Sequence, residues 1–323
     1  MMMMGTGPGE DLASLRKNQD HLGVLRYIRA HELREPITVI THGLALLGDG
    51  LDASVGGDDA AYAAALEQIC LAAIDTSDHY LARRCFNQLR SCAALVGDNP
   101  KATEKLVKDS DRYKRLLGRC LEAAGDYEGA EALYDKMLKR NPSNLVALQR
   151  KYCVLRAQED STPEDILAAL NDYLGQQLSD AGGWYEMSRL RLGLADFEGA
   201  AYALEQVVLL DPLDASVHAK LAEVYATIGG LENTACARKH MAQALELDPT
   251  NLRAQLGLVS VSQQFLDESD ASSAKQKKLD EHERLVATAL VKHGASEVLK
   301  FYKGSKMFAS VKRVMEDYTE NLE

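Results

Sequence analysis

The sequence predicts an all-α protein built as a solenoid of stacked helix pairs. Three observations carry this prediction. Tetrads of one form, "NPSN", "DPLD" and "DPTN", recur around Pro142, Pro212 and Pro249, each after a helical run. Two turns, "GDYEGA" (Gly125 to Ala130) and "ADFEGA" (Ala195 to Ala200), are near copies of each other. Seven Pro and a 6% aromatic fraction suit a helix-rich chain better than a β-sandwich.

The elements follow in order. Residues 1–20 are Gly-rich and polar, and are expected to be a disordered N-terminus. Residues 21–59 hold "HLGVLRYIRAHEL" and "ITVITHGLALLG", a short helix pair interrupted by Pro36, and then the loop "DGLDASVGGDD". The repeat array is expected over 60–264. A worn copy at 63–95 has Leu66, Ile69, Cys70 and Ala73 in its first helix, then Ala82, Phe86 and Leu89 in its second. "VGDNPKATEKLVKDSD" (Val96 to Asp111) is too long for a connector, which predicts an excursion or an extra helix.

Clear copies follow at 111–144, 181–214 and 215–251, with a degenerate one at 145–180 where Leu178 replaces the stop Pro. In the first, Leu117, Gly118 and Leu121 share one helix, and Ala130, Tyr134 and Met137 the next. Small residues at Gly118 and Ala130 let the helices approach, while Leu117 and Tyr134 fill the seam. Pro142 stops the pair because proline cannot continue a helix. In the second, Trp184 and Met187 precede Ala200, Leu204 and Val207. In the third, Leu221, Ala222 and Tyr225 precede Ala237, Met241 and Ala244. Pro212 and Pro249 stand 37 residues apart, so the last copy is three residues over length, and "GGLEN" sits where the surplus falls. Residues 265–323 are expected to be a polar loop ("DESDASSAKQKK") followed by capping helices.

This large-small-large pattern, followed by Ala, an aromatic, a small residue and Pro, is that of the tetratricopeptide repeat. It implies a right-handed superhelix in which each repeat buries its face against its neighbours.

Composition narrows the function classes. A net charge of −11 disfavours nucleic acid or anionic lipid as partner of the whole surface, leaving room for a local basic patch. No apolar run nears bilayer-spanning length, and "MMMMGTGPGE" lacks the features of a secretory signal. Six Cys without a CxxC pair read as reduced core thiols, so a soluble intracellular chain is expected. The eight His show no HxxxH or HxxE spacing, and neither GxSxG nor a P-loop occurs. No enzyme activity, metal or cofactor is expected.

The inner faces of the first helices are the expected binding surface. Repeat positions 2, 5, 9 and 12 place Arg112, Arg115 and Arg119 there in one copy. The next copies contribute Gln149, Cys153 and Arg156, then Tyr185, Arg189 and Leu192. Arg favours bidentate carboxylate recognition and Tyr gives a rigid contact, so one reading is a groove for an acidic segment. The other is that these Arg solvate helix faces and pair with neighbouring Glu. Chaperone-tail tetratricopeptide domains resemble one another in a Lys/Asn clamp. Here Arg115, Arg119 and Arg150 stand instead, without Asn.

One segment narrows the family. "GGLENTACARKHMAQALELDPTNLRAQLGL" (Gly229 to Leu258) strongly resembles the ER membrane protein complex subunit 2 family. "LARRCFNQLR", "KRLLGRCLEAAGDYEGAEALYDKML", "ALNDYL" and "GGWYEMSRL" match in collinear order, over roughly residues 60–290. The 96–111 stretch is longer than the family connector, and both termini match poorly. The resemblance implies a non-catalytic scaffold on the cytoplasmic face of the ER membrane, peripheral and without a span. It would hold membrane subunits and a second soluble subunit, and support insertion of tail-anchored and multi-pass proteins. The alternative is a soluble tetratricopeptide adaptor or co-chaperone that binds peptide tails.

Overall fold

Each Asx-Pro-x-Asx tetrad ends one helix and caps the next. In the computed structural model, which describes residues 12–49, 58–90, 92, 104–271 and 281–320, the first Asx of each tetrad is a C-cap. The last Asx turns its side chain back onto the following helix. Asn144 Oδ1 accepts from Ala147 N at 3.2 Å, Asp214 Oδ1 from Ser216 N at 2.8 Å, and Asn251 Oδ1 from Ala254 N at 3.1 Å. Each cap satisfies an otherwise orphaned amide and contributes about 1 kcal/mol. The sequence reading took these tetrads as stops; they are stop and start together.

Seventeen helices are present among the described residues, in two compact units. The unit ending at Gln176 holds α1 (Leu12–Lys17), α2 (His21–Ala30), α3 (Pro36–Asp49), α4 (Asp59–Asp75) and α5 (His79–Leu89). It continues with α6 (Glu104–Asp109), α7 (Asp111–Ala123), α8 (Tyr127–Arg140), α9 (Leu145–Ala157) and α10 (Pro163–Gln176). The unit from Gln177 holds α11 (Ala181–Gly193), α12 (Phe197–Leu210), α13 (Ala215–Ile228) and α14 (Leu231–Leu247). It ends with α15 (Leu252–Ala271), α16 (Glu281–Tyr302) and α17 (Phe308–Glu320).

Within each unit, sequential helices pack side by side except α5 and α6, α5 packing on α7 instead, and first helices also touch the next first helices: α4 with α7, α7 with α9, and α13 with α15. Most seam residues are those the pattern selects, but Leu117 is only half-buried, and Tyr113 and Leu116 are the buried large side chains of α7. Leu66, Ile69, Tyr134, Leu170, Leu204, Leu221 and Met241 are all under 2% exposed. Each such side chain contributes roughly 1.5–3 kcal/mol. Where Gly118 faces Tyr134, an added Cβ would lie 2.2 Å from the phenol oxygen, so the aromatic fills the space that glycine leaves.

Several expected boundaries shift. A short helix, α1, lies inside the expected N-terminal disorder, with its Leu15 buried. Pro36 starts α3 rather than merely interrupting a pair, because proline suits the first helical position. A six-residue helix, α6, accounts for part of the long connector. Residues 96–103 of that connector, the 50–57 part of the loop, residues 1–11 and residues 272–280 lie outside the described residues. Cys70 and Cys85 are buried, and Cys92 is buried just past α5, but Cys120, Cys153 and Cys236 are only half-buried.

The C-terminal third departs most. The start of the expected polar stretch, residues 265–271, instead forms the last turns of α15, which runs to Ala271. Phe265, Leu266 and Ser269 are buried there, so packing overrides the polar composition. The first of the expected capping helices, α16, runs to Tyr302 and packs along α15 as a further helix pair, with Gly294 against Val259. Among the described residues, only α17 lies beyond this pair.

The three-residue surplus falls at "GGLEN", as expected, but as helix. α14 has 17 residues against 14 in α12, so "LEN" forms the first turn of a longer helix, not a longer loop. Gly229 (φ 73°) and Gly230 (φ 86°) make the whole turn, in backbone that side chains rarely adopt. Gly230 has no side chain to cap α14, and Glu268 of α15 supplies that cap. Its carboxylate accepts from Gly230 N at 3.2 Å and from Thr234 Oγ1 at 2.9 Å.

Candidate functional site: charged inner faces of the first helices

In the first unit the expected groove arginines reach back to the preceding first helix. Arg112 donates to Glu67 Oε2 (Nε at 2.8 Å, Nη2 at 2.6 Å), and Arg115 Nη2 to Glu67 Oε1 at 2.9 Å. Glu67, only 8% exposed on α4, thus has both oxygens occupied. Arg119 pairs with Asp75 at 3.6 Å. One repeat further, Arg150 of α9 grips both oxygens of Glu122 on α7, and Tyr134 Oη donates to the same carboxylate at 2.6 Å. Burial comes first among the causes that hold the Arg150 pKa below its ordinary value.

Positive charge nevertheless exceeds negative around Glu67. Arg29 of α2 has a lowered pKa, first because of burial, then because Arg26 and Arg112 lie close, with Glu67 opposing. Three guanidinium groups, those of Arg29, Arg112 and Arg115, therefore share this neighbourhood with a carboxylate already engaged by two of them, and Arg26 lies close to Arg29. Arg112 and Arg115 remain 37% and 48% exposed. Between α5, α7 and α9 lies an open cleft of about 340 Å³, lined by His79, Arg119, Glu122, Tyr127, Arg150 and Cys153.

The other expected residues are placed differently. Gln149 is exposed, and Arg156 donates to Tyr152 Oη at 3.3 Å; neither joins the Glu67 cluster. In the second unit, Lys220 of α13 lies 4.6 Å over the Tyr185 ring and donates to its hydroxyl at 2.5 Å. Arg189 pairs along its own helix with Glu186 at 3.4 Å. Farther along, Arg253 of α15 binds Glu223 of α13 at 2.5 and 2.6 Å, and this carboxylate raises its pKa. In both units, then, a base on one first helix reaches an acid or a phenol on the one before.

Sequence reasoning missed the acids Glu67, Asp75 and Glu122. Glu122 sits at repeat position 12, one of the inner positions, and its charge opposite Arg150 was the available signal. Arg26 and Arg29 gave none, because they stand on a non-repeat helix. No group of three or more His, Cys, Asp or Glu that could hold a metal is present among the described residues.

Paired helices with small seam residues, first helices stacked on first helices and Asx-Pro-x-Asx junctions together define a tetratricopeptide-repeat protein. The model of the EMC2 TPR-like repeat domain matches residues 105–237. The ER membrane protein complex subunit 2-A of Xenopus laevis is 34% identical over 212 residues, 66% of this chain and 66% of the relative. ER membrane protein complex subunit 2 of Dictyostelium discoideum is 27% identical over 232 residues, 71% of this chain and 66% of that one. The chain belongs to the ER membrane protein complex subunit 2 family, and it spans 66% of the length of these relatives. Among solved structures, the C-terminal part of a TPR repeat-containing protein from Cytophaga hutchinsonii is 12% identical. That match covers 93% of this chain and 97% of the other, at a TM-score of 0.48.

Proposed function

We propose that this chain is a non-catalytic scaffold subunit of the ER membrane protein complex, peripheral on the cytoplasmic face of the ER. It holds cytoplasmic parts of membrane subunits, works beside a second soluble subunit, and supports insertion of tail-anchored and multi-pass proteins. The carrying observation is the 34% identity over 212 residues to a relative named as subunit 2 of that complex. No helix among the described residues is long and apolar enough to cross a membrane, which suits attachment through partners. The scaffold surface is built from repeat units 63–95, 111–144, 145–180, 181–214 and 215–251.

Tagged full-length chain is expected to sediment with ER membranes, leave them in alkaline carbonate, and co-purify with membrane subunits in mild detergent. Recovery wholly in the cytosol, without membrane partners, overturns the proposal and favours the adaptor.

Within this reading, the surplus of Arg around Glu67 is a grip for an acidic segment of a partner. Arg112, Arg115 and Arg119 supply it in the first unit, with Gln149 and Arg156 flanking. Tyr185 and Arg189 are contact residues of the second unit. Reversing Arg115 is a poor test, because the new carboxylate would face buried Glu67. The pair Arg115→Gln with Arg119→Gln lowers the positive charge by two, while Arg112 keeps buried Glu67 paired. It is expected to weaken partner capture while leaving the thermal midpoint nearly unchanged. Full capture by that variant refutes the grip.

A further inference from the structure

An acidic chain contains one strongly basic elbow. From Val298 to Met315 there is no Asp or Glu, yet Lys300, Lys303, Lys306, Lys312 and Arg313 all fall there, in a protein of net charge −11. The stretch spans the end of α16, the turn 303–307 and the start of α17. All five basic side chains belong to exposed residues. Lys300 and Lys312 pair with flanking Glu297 and Glu316, while Lys303, Lys306 and Arg313 form no ion pair among the described residues.

Two large apolar side chains stand among these cations without cover. Phe301 is 59% exposed and Met307 56%. The turn that carries them is ordered by backbone bonds, Ser305 N to Tyr302 O at 2.9 Å and Phe308 N to Ser305 O at 3.1 Å, with Gly304 at φ 87°. Beside it, α16 and α17 enclose an open cleft of about 440 Å³. Leu299, Phe308 and Met315 line it together with Lys292, Lys300 and Lys303.

We propose that the α16–α17 elbow is a docking surface for an anionic phospholipid bilayer, with Phe301 and Met307 entering the headgroup region between lysines that face lipid phosphates. Exposed aromatic and thioether side chains flanked by cations suit an interface that is apolar below and negatively charged above. A polynucleotide would use the cations but would not reward the uncovered Met307. The acidic remainder of the chain is repelled by the same surface, so it favours contact through the elbow alone. This contact goes beyond attachment through partner subunits and stands on the elbow residues only.

The test uses purified full-length chain and extruded vesicles without protein, so its outcome is independent of membership in the membrane complex. On phosphatidylcholine vesicles containing about a third phosphatidylserine, the chain is expected to float with the lipid. It should stay behind on pure phosphatidylcholine and be released by high salt, which screens the attraction. Each Lys or Arg near an anionic surface contributes about a fivefold gain in affinity. The triple variant Lys303→Gln, Lys306→Gln, Arg313→Gln should therefore bind about a hundredfold more weakly. The variant Lys303→Arg, Lys306→Arg retains binding. Phe301→Ser with Met307→Ser weakens binding with the salt dependence unchanged. All these side chains are exposed, and unchanged circular dichroism establishes that the variants fold. Absence of flotation with anionic vesicles, equal binding by the triple variant, or capture of polyuridylate without capture of vesicles overturns the proposal.

Discussion

Replacing Gly118 by Ala sets two effects of known size against each other. Alanine favours the helical state over glycine by about 1 kcal/mol, so on propensity alone the variant should be more stable. The seam says the opposite. The new Cβ would lie 2.2 Å from Tyr134 Oη and 2.5 Å from Cζ, and Tyr134 is 0% exposed, with nowhere to retreat. Moving the ring also breaks its hydrogen bond to the Glu122 carboxylate, which Arg150 shares. Overpacking costs about 1–3 kcal/mol and loss of a charge-assisted hydrogen bond about 1.5–3 kcal/mol. After subtracting the propensity gain, a net loss of about 1.5–5 kcal/mol is expected. Native-state hydrogen exchange reads it locally. The most protected amides of α7 and α8 should exchange at least roughly tenfold faster. Those of α13 and α14, in the other unit, serve as an internal reference. Adding Tyr134→Phe removes the nearest clashing atom, so the two substitutions should couple by about 1 kcal/mol. If exchange in α7 and α8 is unchanged or slower in the single variant, propensity has won and the seam argument is wrong.

Three further outcomes follow from the second unit. Glu268→Ala uncaps α14 from a distance and should cost about 1 kcal/mol, with faster exchange at the Gly230 amide and in the first turn of α14. Arg238, 3% exposed, binds the Glu283 carboxylate, donates to Glu283 O at 2.8 Å and lies 4.6 Å over Phe265. Arg238→Ala should lower stability by about 3 kcal/mol, and Glu283→Gln by much less, because the backbone and ring contacts remain; urea unfolding distinguishes them. His240 has its pKa pushed down, first by burial and then by His218, whose Nδ1 lies 3.0 Å from its own, with Glu205 opposing. Tyr225 stacks on the same ring. The unfolded chain then binds the proton more readily, so protection of α13 and α14 should fall as pH drops below about 6.5 and flatten in His240→Gln. Protection independent of pH across that range would refute the assignment.

Much of the fold was legible because the repeat rule is local. A helix pair needs small residues where backbones meet, large ones in the seam and a break between pairs. Gly118, Ala130, Tyr134 and Pro142 state all of this within one short window. The same window could not show that Asn144 caps the following helix, since "stop" and "start" share one tetrad. The site was half legible. Position counting put Arg112, Arg115 and Arg119 on the first helix, but their partners Glu67 and Asp75 lie far back in the chain, in a worn copy. Ion pairing is set by distance in space, and spacing along the sequence carries no trace of it.

By itself, then, the sequence determined the helix pairs and most of their seam residues. Periodicity and turn chemistry act between near neighbours, so they are written in order along the chain. Only the tertiary structure decided that "LEN" lengthens α14, that a polar run continues α15, and that Glu268 in that run caps α14. These outcomes depend on which surfaces a helix finds to bury against and which distant carboxylate arrives at an uncapped glycine. No local pattern encodes such a meeting.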